Sequence, residues 1–229
     1  MDRIGDAFVW PFRDPSWVEK VVIMGLILLI PIVGGINGMG WMLASLARLR
    51  EGKEELPPAN FDYLWKGFQL FVVLLVYQLA LLALGAVFFV PAVILLSTQG
   101  GSSGNTLLAL IGVLLMLIAF GITVIGFLVS YAVLPAVVLA TDLGGIAGGF
   151  DVPSIVRRLR DRPTNALIAG LMLLAAGFIG SLGINACLVG IVFTIPYSLA
   201  MEAWIVRSYE VGSKPQEELN VGEPAAPAR

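Results

Sequence analysis

Three long blocks without a single Lys, Arg, Asp or Glu dominate this 229-residue chain. The blocks are residues 21–47, 67–141 and 163–201, and all 14 basic and 16 acidic residues lie outside them. A soluble domain keeps charge on the outward faces of its helices. A charge at the centre of a bilayer costs about 2.5–3.5 kcal/mol, so a membrane protein excludes it. We therefore predict an integral membrane protein.

Composition also narrows the functional classes. The net charge of −2 provides no bulk attraction to nucleic acid, and the chain has no His, the commonest general base and metal ligand. The single cysteine, Cys187, cannot form an internal disulfide, and we expect it to pack as a small apolar residue. We expect no enzyme activity, no catalytic residue, no metal, no cofactor and no nucleic-acid partner.

The apolar blocks predict an all-α, polytopic helical bundle. About 20 helical residues cross a hydrocarbon core of about 30 Å. Four spans are predicted, over residues 64–96, 107–139, 164–181 and 186–206. A Gly- and Ser-rich loop, 97–106, separates the first pair, and a tight turn near Gly183 separates the second. Pro91 and Pro135 predict a tilt or kink in the two longest helices.

The first block allows two interpretations. Residues 21–47 are long enough for a fifth span, but Pro31, Gly34, Gly35 and Gly38 predict a helix break near the middle. Two arms of about 13 residues suit a re-entrant hairpin, which is tolerated where other helices bury its broken backbone. A single crossing would also place Arg13 and Lys20 against the positive-inside bias.

Basic residues predict the orientation of the bundle. Eleven of the fourteen lie in residues 48–66, 157–162 and 207–229, whereas loop 97–106 and the turn near Gly183 contain none. The charged loops and the C-terminal tail are therefore expected to be cytoplasmic. Trp65 and Trp204 lie at the same boundary, as interfacial aromatic residues do.

An amphipathic helix is predicted over residues 151–162. Asp151 can cap it, and four basic residues, Arg157, Arg158, Arg160 and Arg162, supply its polar face. The interfacial helix is either a contact site for anionic lipid or an acidic partner, or simply a topology signal. Residues 144–149 are predicted to be a flexible Gly-rich link before it.

Polar residues inside the blocks are few. Asn37, Gln78 and Asn185 are candidates for a polar cavity or, alternatively, for hydrogen bonds between helices. Glu202 is expected at the interface, near Arg207, so that no acid lies at mid-membrane for ion coupling.

We predict one membrane-embedded helical domain, residues 1–209, and a disordered, acidic, Pro-containing tail, residues 210–229. The first residues lack the pattern of a cleavable signal peptide.

Several stretches resemble one known family: Gly5 to Phe8, Pro11-Phe12, Asp14-Pro15, Gly40-Trp41, Arg48 to Pro57, Gly149-Phe150-Asp151 and Arg162-Pro163. Over about residues 1–209 the chain is similar to the prokaryotic membrane family called domain of unknown function 4013. The resemblance implies a multi-pass protein of a bacterial or archaeal cell membrane, without an assigned activity and without catalytic residues.

Two functional hypotheses follow from these observations. The first is a non-enzymatic accessory subunit, scaffold or membrane-organising component, whose candidate partners are the bilayer, anionic lipid, another membrane protein or a second copy. The alternative is a small-molecule or lipid transporter or channel, because broken helices often line binding sites.

Overall fold

The computed structural model of the protein describes residues 4–98, 105–183 and 187–213. Over these residues the fold is all-α, as predicted, without a β-strand. Two short 3₁₀ helices, Ile4–Phe8 and Trp10–Arg13, precede seven α-helices. These are α1 Trp17–Leu28, α2 Val33–Arg50, α3 Leu64–Ser97, α4 Thr106–Gly149, α5 Val152–Asp161, α6 Pro163–Leu182 and α7 Cys187–Ser213.

Three of the described helices are long and apolar enough to cross a membrane, namely α3, α4 and α6. The chain is therefore a membrane protein by the length and composition of its helices. The count of four spans stays a prediction, because the first side chains of the predicted fourth span, on α7, lie outside the described part. The described part of α7 also carries Tyr197, Ser198, Glu202 and Arg207, which lower its mean hydropathy.

Two segments expected to be irregular are helical instead. Residues 144–149 belong to α4, whose backbone leaves helical geometry at Gly145, with φ 61° and ψ −151°. Glycine adopts positive φ without steric cost, so one residue makes the kink and no flexible link is needed. The predicted disordered tail begins too early, because α7 continues to Ser213 and Glu210 is ion-paired. Residues 214–229 lie outside the described part.

The described chain divides into two compact units. The first comprises residues 4–71 and 132–213, and the second comprises residues 72–131. Within the first unit, α7 packs against α1, α2, α6 and both 3₁₀ helices. The Trp10 Nε1–H donates to the Ala200 carbonyl at 3.1 Å, and a Cβ at Gly25 would collide with the Val192 carbonyl. Protein therefore covers much of α7, which explains why its surface need not be uniformly apolar.

The second unit is a pair of helical segments from α3 and α4 that exposes most of its apolar side chains. The two segments approach where Gly126 lies under the Leu81 side chain. Large residues such as Leu82 and Phe120 remain 69% and 68% exposed. Monomeric soluble proteins rarely leave such a surface uncovered, so lipid or another membrane helix must cover it.

The first apolar block folds as a helical hairpin, which distinguishes the two sequence interpretations. Lys20 at the start of α1 and Arg48 near the end of α2 donate to the same carbonyl, that of Leu56, at 2.8 and 3.0 Å. The Arg13 guanidinium also pairs with Glu54. Both ends of the hairpin therefore lie together, and a single kinked crossing is not what the chain forms.

The hairpin tip is an exposed apolar turn over residues 29–32. Pro31 lies in this turn, whereas Gly34, Gly35 and Gly38 lie inside α2, so the break precedes three of the four residues expected to form it. Ile32 has φ 64°, which is strained for a β-branched residue, and it is 73% exposed. An exposed apolar tip on a pinned hairpin fits insertion into a bilayer from one side.

We predict that both ends of the hairpin are accessible from the same side of the membrane. Glu19→Cys and Glu55→Cys, each in a chain with Cys187→Ser, should react with an impermeant maleimide added to one face of sealed vesicles. Both glutamates are exposed, so a cysteine in either position should be accessible to the reagent. Labelling of the two positions from opposite faces would contradict the hairpin.

Asp14 ties the hairpin base to the loop that follows α2. Its carboxylate accepts hydrogen bonds from the Ser16 N–H and hydroxyl at 2.8 and 2.9 Å, from Lys20 Nζ at 2.7 Å and from the Leu56 N–H at 2.9 Å. Only 1% of the residue is exposed. Burial by itself raises the pKa of Asp14, but the hydrogen bonds from Lys20, Ser16 and Leu56 outweigh it, so the pKa lies below its usual value. The ionised form therefore stabilises the fold.

The lowered pKa sets the direction of a pH dependence. The Asp14 contribution is complete above its unfolded pKa of about 4 and is lost as the pH falls through the folded value. Asp14→Asn should lower the free energy of unfolding at pH 7 by about 2 kcal/mol, since it weakens charge-assisted hydrogen bonds. It should also flatten the dependence of thermal unfolding on pH below about 5.

The measurement is thermal unfolding in detergent between acid and neutral pH. Glu51→Gln is the matched control, because Glu51 is exposed and pairs only with the exposed Lys53 in this structure. If the unfolding temperature of Asp14→Asn fell with pH below about 5 as steeply as that of the unaltered chain, this carboxylate would not be what stabilises the hairpin base.

Candidate functional site

Asn37 is the fully buried amide of the first unit. It lies one turn into α2 and is 0% exposed. Its Nδ2 donates to the Asn60 carbonyl at 2.8 Å and lies 3.8 Å from the Met24 sulfur. Its Oδ1 is buried and has no hydrogen-bond partner among the described residues. An unsatisfied buried acceptor costs about 1–3 kcal/mol, so this oxygen is a candidate acceptor for a donor from outside the chain.

Glycines bring the backbone close around Asn37. A Cβ at Gly34 would collide with the Ile27 carbonyl, and one at Gly38 would meet the Leu28 side chain, so α1 and α2 touch closely. Similarly, a Cβ at Gly40 would collide with the Tyr63 carbonyl. The small residues expected to break the helix therefore let α2 pack tightly against its neighbours.

An ion-pair network, which the sequence analysis missed, joins three helices at the charged end of the first unit. The Arg50 guanidinium pairs with Asp142 and with both oxygens of Glu210, at 3.1 and 3.0 Å from Nε. Arg207 adds a second contact to Glu210 at 2.8 Å. Arg50 Nη2 is buried and lacks a partner within the described residues. The available signal was position for two of the residues, because Asp142 directly follows an uncharged block and Arg50 lies three residues after one; Glu210 lies nine residues after the third block and carried no such signal.

The four arginines of the predicted amphipathic helix lie on or next to α5. The Asp151 carboxylate caps this helix as predicted, accepting from the Ser154 N–H at 3.2 Å. Arg157, Arg160 and Arg162 are exposed, and Arg158 is half-buried. Ile155 lies on the inward-facing side of the helix and is 3% exposed. The side chains of Arg157 and Arg160 are therefore accessible from outside the protein.

Gln78 lies on the second unit and is exposed. It forms no hydrogen bond with any described residue, and the side chains around it are mostly apolar. It lines a groove of about 750 Å³ between α3 and α4 whose floor contains the small residues Gly85, Ala86, Ala119 and Thr123. The Thr123 hydroxyl is already bonded to the Ala119 carbonyl at 2.9 Å. Gln78 is therefore a polar group that needs a partner on an apolar surface.

The three predicted polar residues lie in different parts of the chain. Asn37 is buried in the first unit, Gln78 lines the groove of the second unit, and Asn185 lies outside the described residues. Glu202 lies within α7, and its place at the membrane interface stays a prediction; the nearby Arg207 pairs with Glu210. In the parts of the chain that are described, no three His, Cys, Asp or Glu residues are close enough to hold a metal ion.

Comparison with known proteins identifies the family but no activity. Residues 23–189 match the model of the family described as Protein of unknown function (DUF4013). No curated protein and no solved structure matches the chain. The matched residues run from α1 into the first residues of α7 and cover well over half of the sequence, so the chain belongs to the DUF4013 family.

Proposed function

We propose that this protein is a non-enzymatic accessory subunit or scaffold of a larger membrane complex, and that the α3–α4 groove holds a membrane-spanning helix of a partner subunit. One observation carries this proposal, namely the exposed Gln78 amide, which has no hydrogen-bond partner among the described residues and lines a mostly apolar groove. Acyl chains cannot hydrogen-bond an amide, whereas a polar side chain on a neighbouring helix can.

The shape of the groove supports a helix as its occupant. Small residues form its floor, and Leu79, Leu82, Phe89, Phe120 and Phe127 form its walls. Small residues allow the backbones of membrane helices to approach closely, and dispersion contacts then drive association. The wide apolar exposure of the second unit is what a subunit leaves for its neighbour. A second copy of the chain is the other protein that the groove could hold, and the experiment below separates the two.

Substitutions in the groove should weaken the complex. Gln78→Leu removes the amide and should reduce a stoichiometric co-purifying partner roughly fivefold, since an interhelical hydrogen bond contributes about 1 kcal/mol. Ala86→Leu fills the groove and should also reduce the partner, since it prevents close approach of a second helix. Ala83→Leu is the matched control, because Ala83 is exposed on the same helix but does not line the groove. The measurement is quantitative mass spectrometry after gentle, detergent-free extraction from the native membrane.

The outcomes of that extraction are distinct. The proposal is supported if Gln78→Leu and Ala86→Leu, but not Ala83→Leu, lose a co-purifying protein other than a second copy of this chain. Loss of self-association under the same conditions would assign the groove to a second copy instead. Equal recovery from all three variants would reject the groove as a docking site.

The alternative function, a small-molecule or lipid transporter or channel, has one observation in its favour. The buried Asn37 Oδ1 without a partner lies on the helical hairpin whose turn interrupts the first apolar block. Discontinuous helices and unsatisfied acceptors often mark solute sites in transporters. In this alternative, the amide oxygen would accept a hydrogen bond from the transported molecule.

Flux measurements test this alternative. If Asn37 binds solute, purified protein in liposomes should conduct a small polar solute above the rate of empty vesicles, and Asn37→Leu should abolish the excess. Ser45→Ala is the control, since the Ser45 hydroxyl is buried on the same helix but already bonded to the Trp41 carbonyl at 2.9 Å. Rates equal to those of empty vesicles across charged, polar and lipid solutes would remove the transporter hypothesis.

A further inference from the structure

The arginines of α5 differ from the other described arginines in their partners. Arg13, Arg48, Arg50 and Arg207 each form an ion pair with a carboxylate. Within the described residues Arg157, Arg158 and Arg160 form none. Asp151, at the start of the same helix, is used as its cap. Three guanidinium groups that form no ion pair among the described residues therefore lie on this one short helix, which ends at Asp161.

Two of these arginines line a shallow groove along the exposed side of α5. Arg157 and Arg160 lie one turn apart and share it with Val152, Pro153, Val156 and Asp161, with a volume of about 450 Å³. Residues three or four apart project from the same side of a helix. Val152 is 50% exposed beside them. The groove thus combines two guanidinium groups with an apolar strip.

The position of α5 in the chain places this groove next to a membrane helix. Helix α6 begins at Pro163, immediately after α5, and is one of the three helices able to cross a membrane. Just before α5, Leu143 and Phe150 are 63% and 38% exposed. A short helix with apolar and basic residues at the start of a span lies where phospholipid headgroups are found.

We propose that α5 binds the phosphate of an anionic phospholipid, with Arg157 and Arg160 as its ligands and Val152 and Val156 against the first part of the acyl chains. Guanidinium groups bind phosphate oxygens through paired hydrogen bonds, which a single ammonium group cannot reproduce. The inference is independent of the α3–α4 groove, because it rests on different residues and a different ligand.

The test is native mass spectrometry of the full chain, titrated separately with phosphatidylglycerol, cardiolipin and phosphatidylcholine. We expect the anionic lipids to bind at least tenfold more tightly than phosphatidylcholine. Arg157→Gln with Arg160→Gln should weaken anionic-lipid binding roughly 30-fold, at about 1 kcal/mol for each basic residue. Lys53→Gln with Lys214→Gln removes the same charge elsewhere and should leave the affinity within about twofold of the unaltered chain.

Two further variants separate the proposed contact from general charge and from misfolding. Arg157→Lys with Arg160→Lys keeps the charge and should recover only part of the affinity. Asp161→Asn removes the acid at the edge of the groove and should raise the affinity for anionic lipid. Arg157, Arg160 and Asp161 are exposed, so thermal unfolding of these variants should match that of the unaltered chain.

Three outcomes would overturn the proposal. Equal affinity for anionic and neutral lipid would remove the phosphate contact. Displacement of bound lipid by millimolar inorganic phosphate would assign the groove to a free anion. The third outcome combines two results: deletion of residues 214–229 tightens lipid binding, and Arg157→Gln with Arg160→Gln does not weaken it. Together they would show that the acidic tail rather than a lipid occupies α5.

Discussion

The Arg50 guanidinium joins the charged ends of three apolar segments, and the arrangement of the first unit depends on it. Arg50 is the last residue of α2. Asp142 lies in α4 directly after the uncharged block 67–141, and Glu210 lies in the last turn of α7. A bilayer excludes charge, and all three groups lie outside the uncharged blocks. The Asp142 side chain is only 4% exposed, so removal of Arg50 would leave a buried carboxylate without its ion-pair partner.

The hairpin of α1 and α2 follows the same separation of charge from apolar surface. Its base is held by Asp14, Lys20 and Arg48 around the loop that contains Leu56. Its tip is apolar and exposed, including the strained Ile32. Polar anchoring at one end with apolar exposure at the other permits a segment to enter a bilayer and return. Tight packing at Gly34 and Gly38 buries the backbone of the arms, as a re-entrant segment requires.

The two surfaces proposed as binding sites differ in chemistry. The α3–α4 groove is mostly apolar and carries an amide, Gln78, without a hydrogen-bond partner among the described residues, so it suits a helix within the bilayer. The α5 groove carries two arginines without carboxylate partners among the described residues, so it suits an anionic headgroup. A scaffold or accessory subunit that contacts both protein and lipid would use both surfaces together.

The sequence by itself determined the helical class, the positions of α3 and α6 to within a residue or two, and the Asp151 cap of α5, because charge exclusion and capping act locally. It could not decide between a crossing and a hairpin at residues 21–47, because both expose the same apolar composition. Only the tertiary structure decided this, through contacts from Lys20 and Arg48 to one distant carbonyl. The same reason applies to Gly34 and Gly38, since a glycine that permits close packing and one that breaks a helix are identical in sequence. Likewise, Asn37, Gln78 and Arg50 became distinguishable only when their hydrogen-bond partners, or the lack of them, were known.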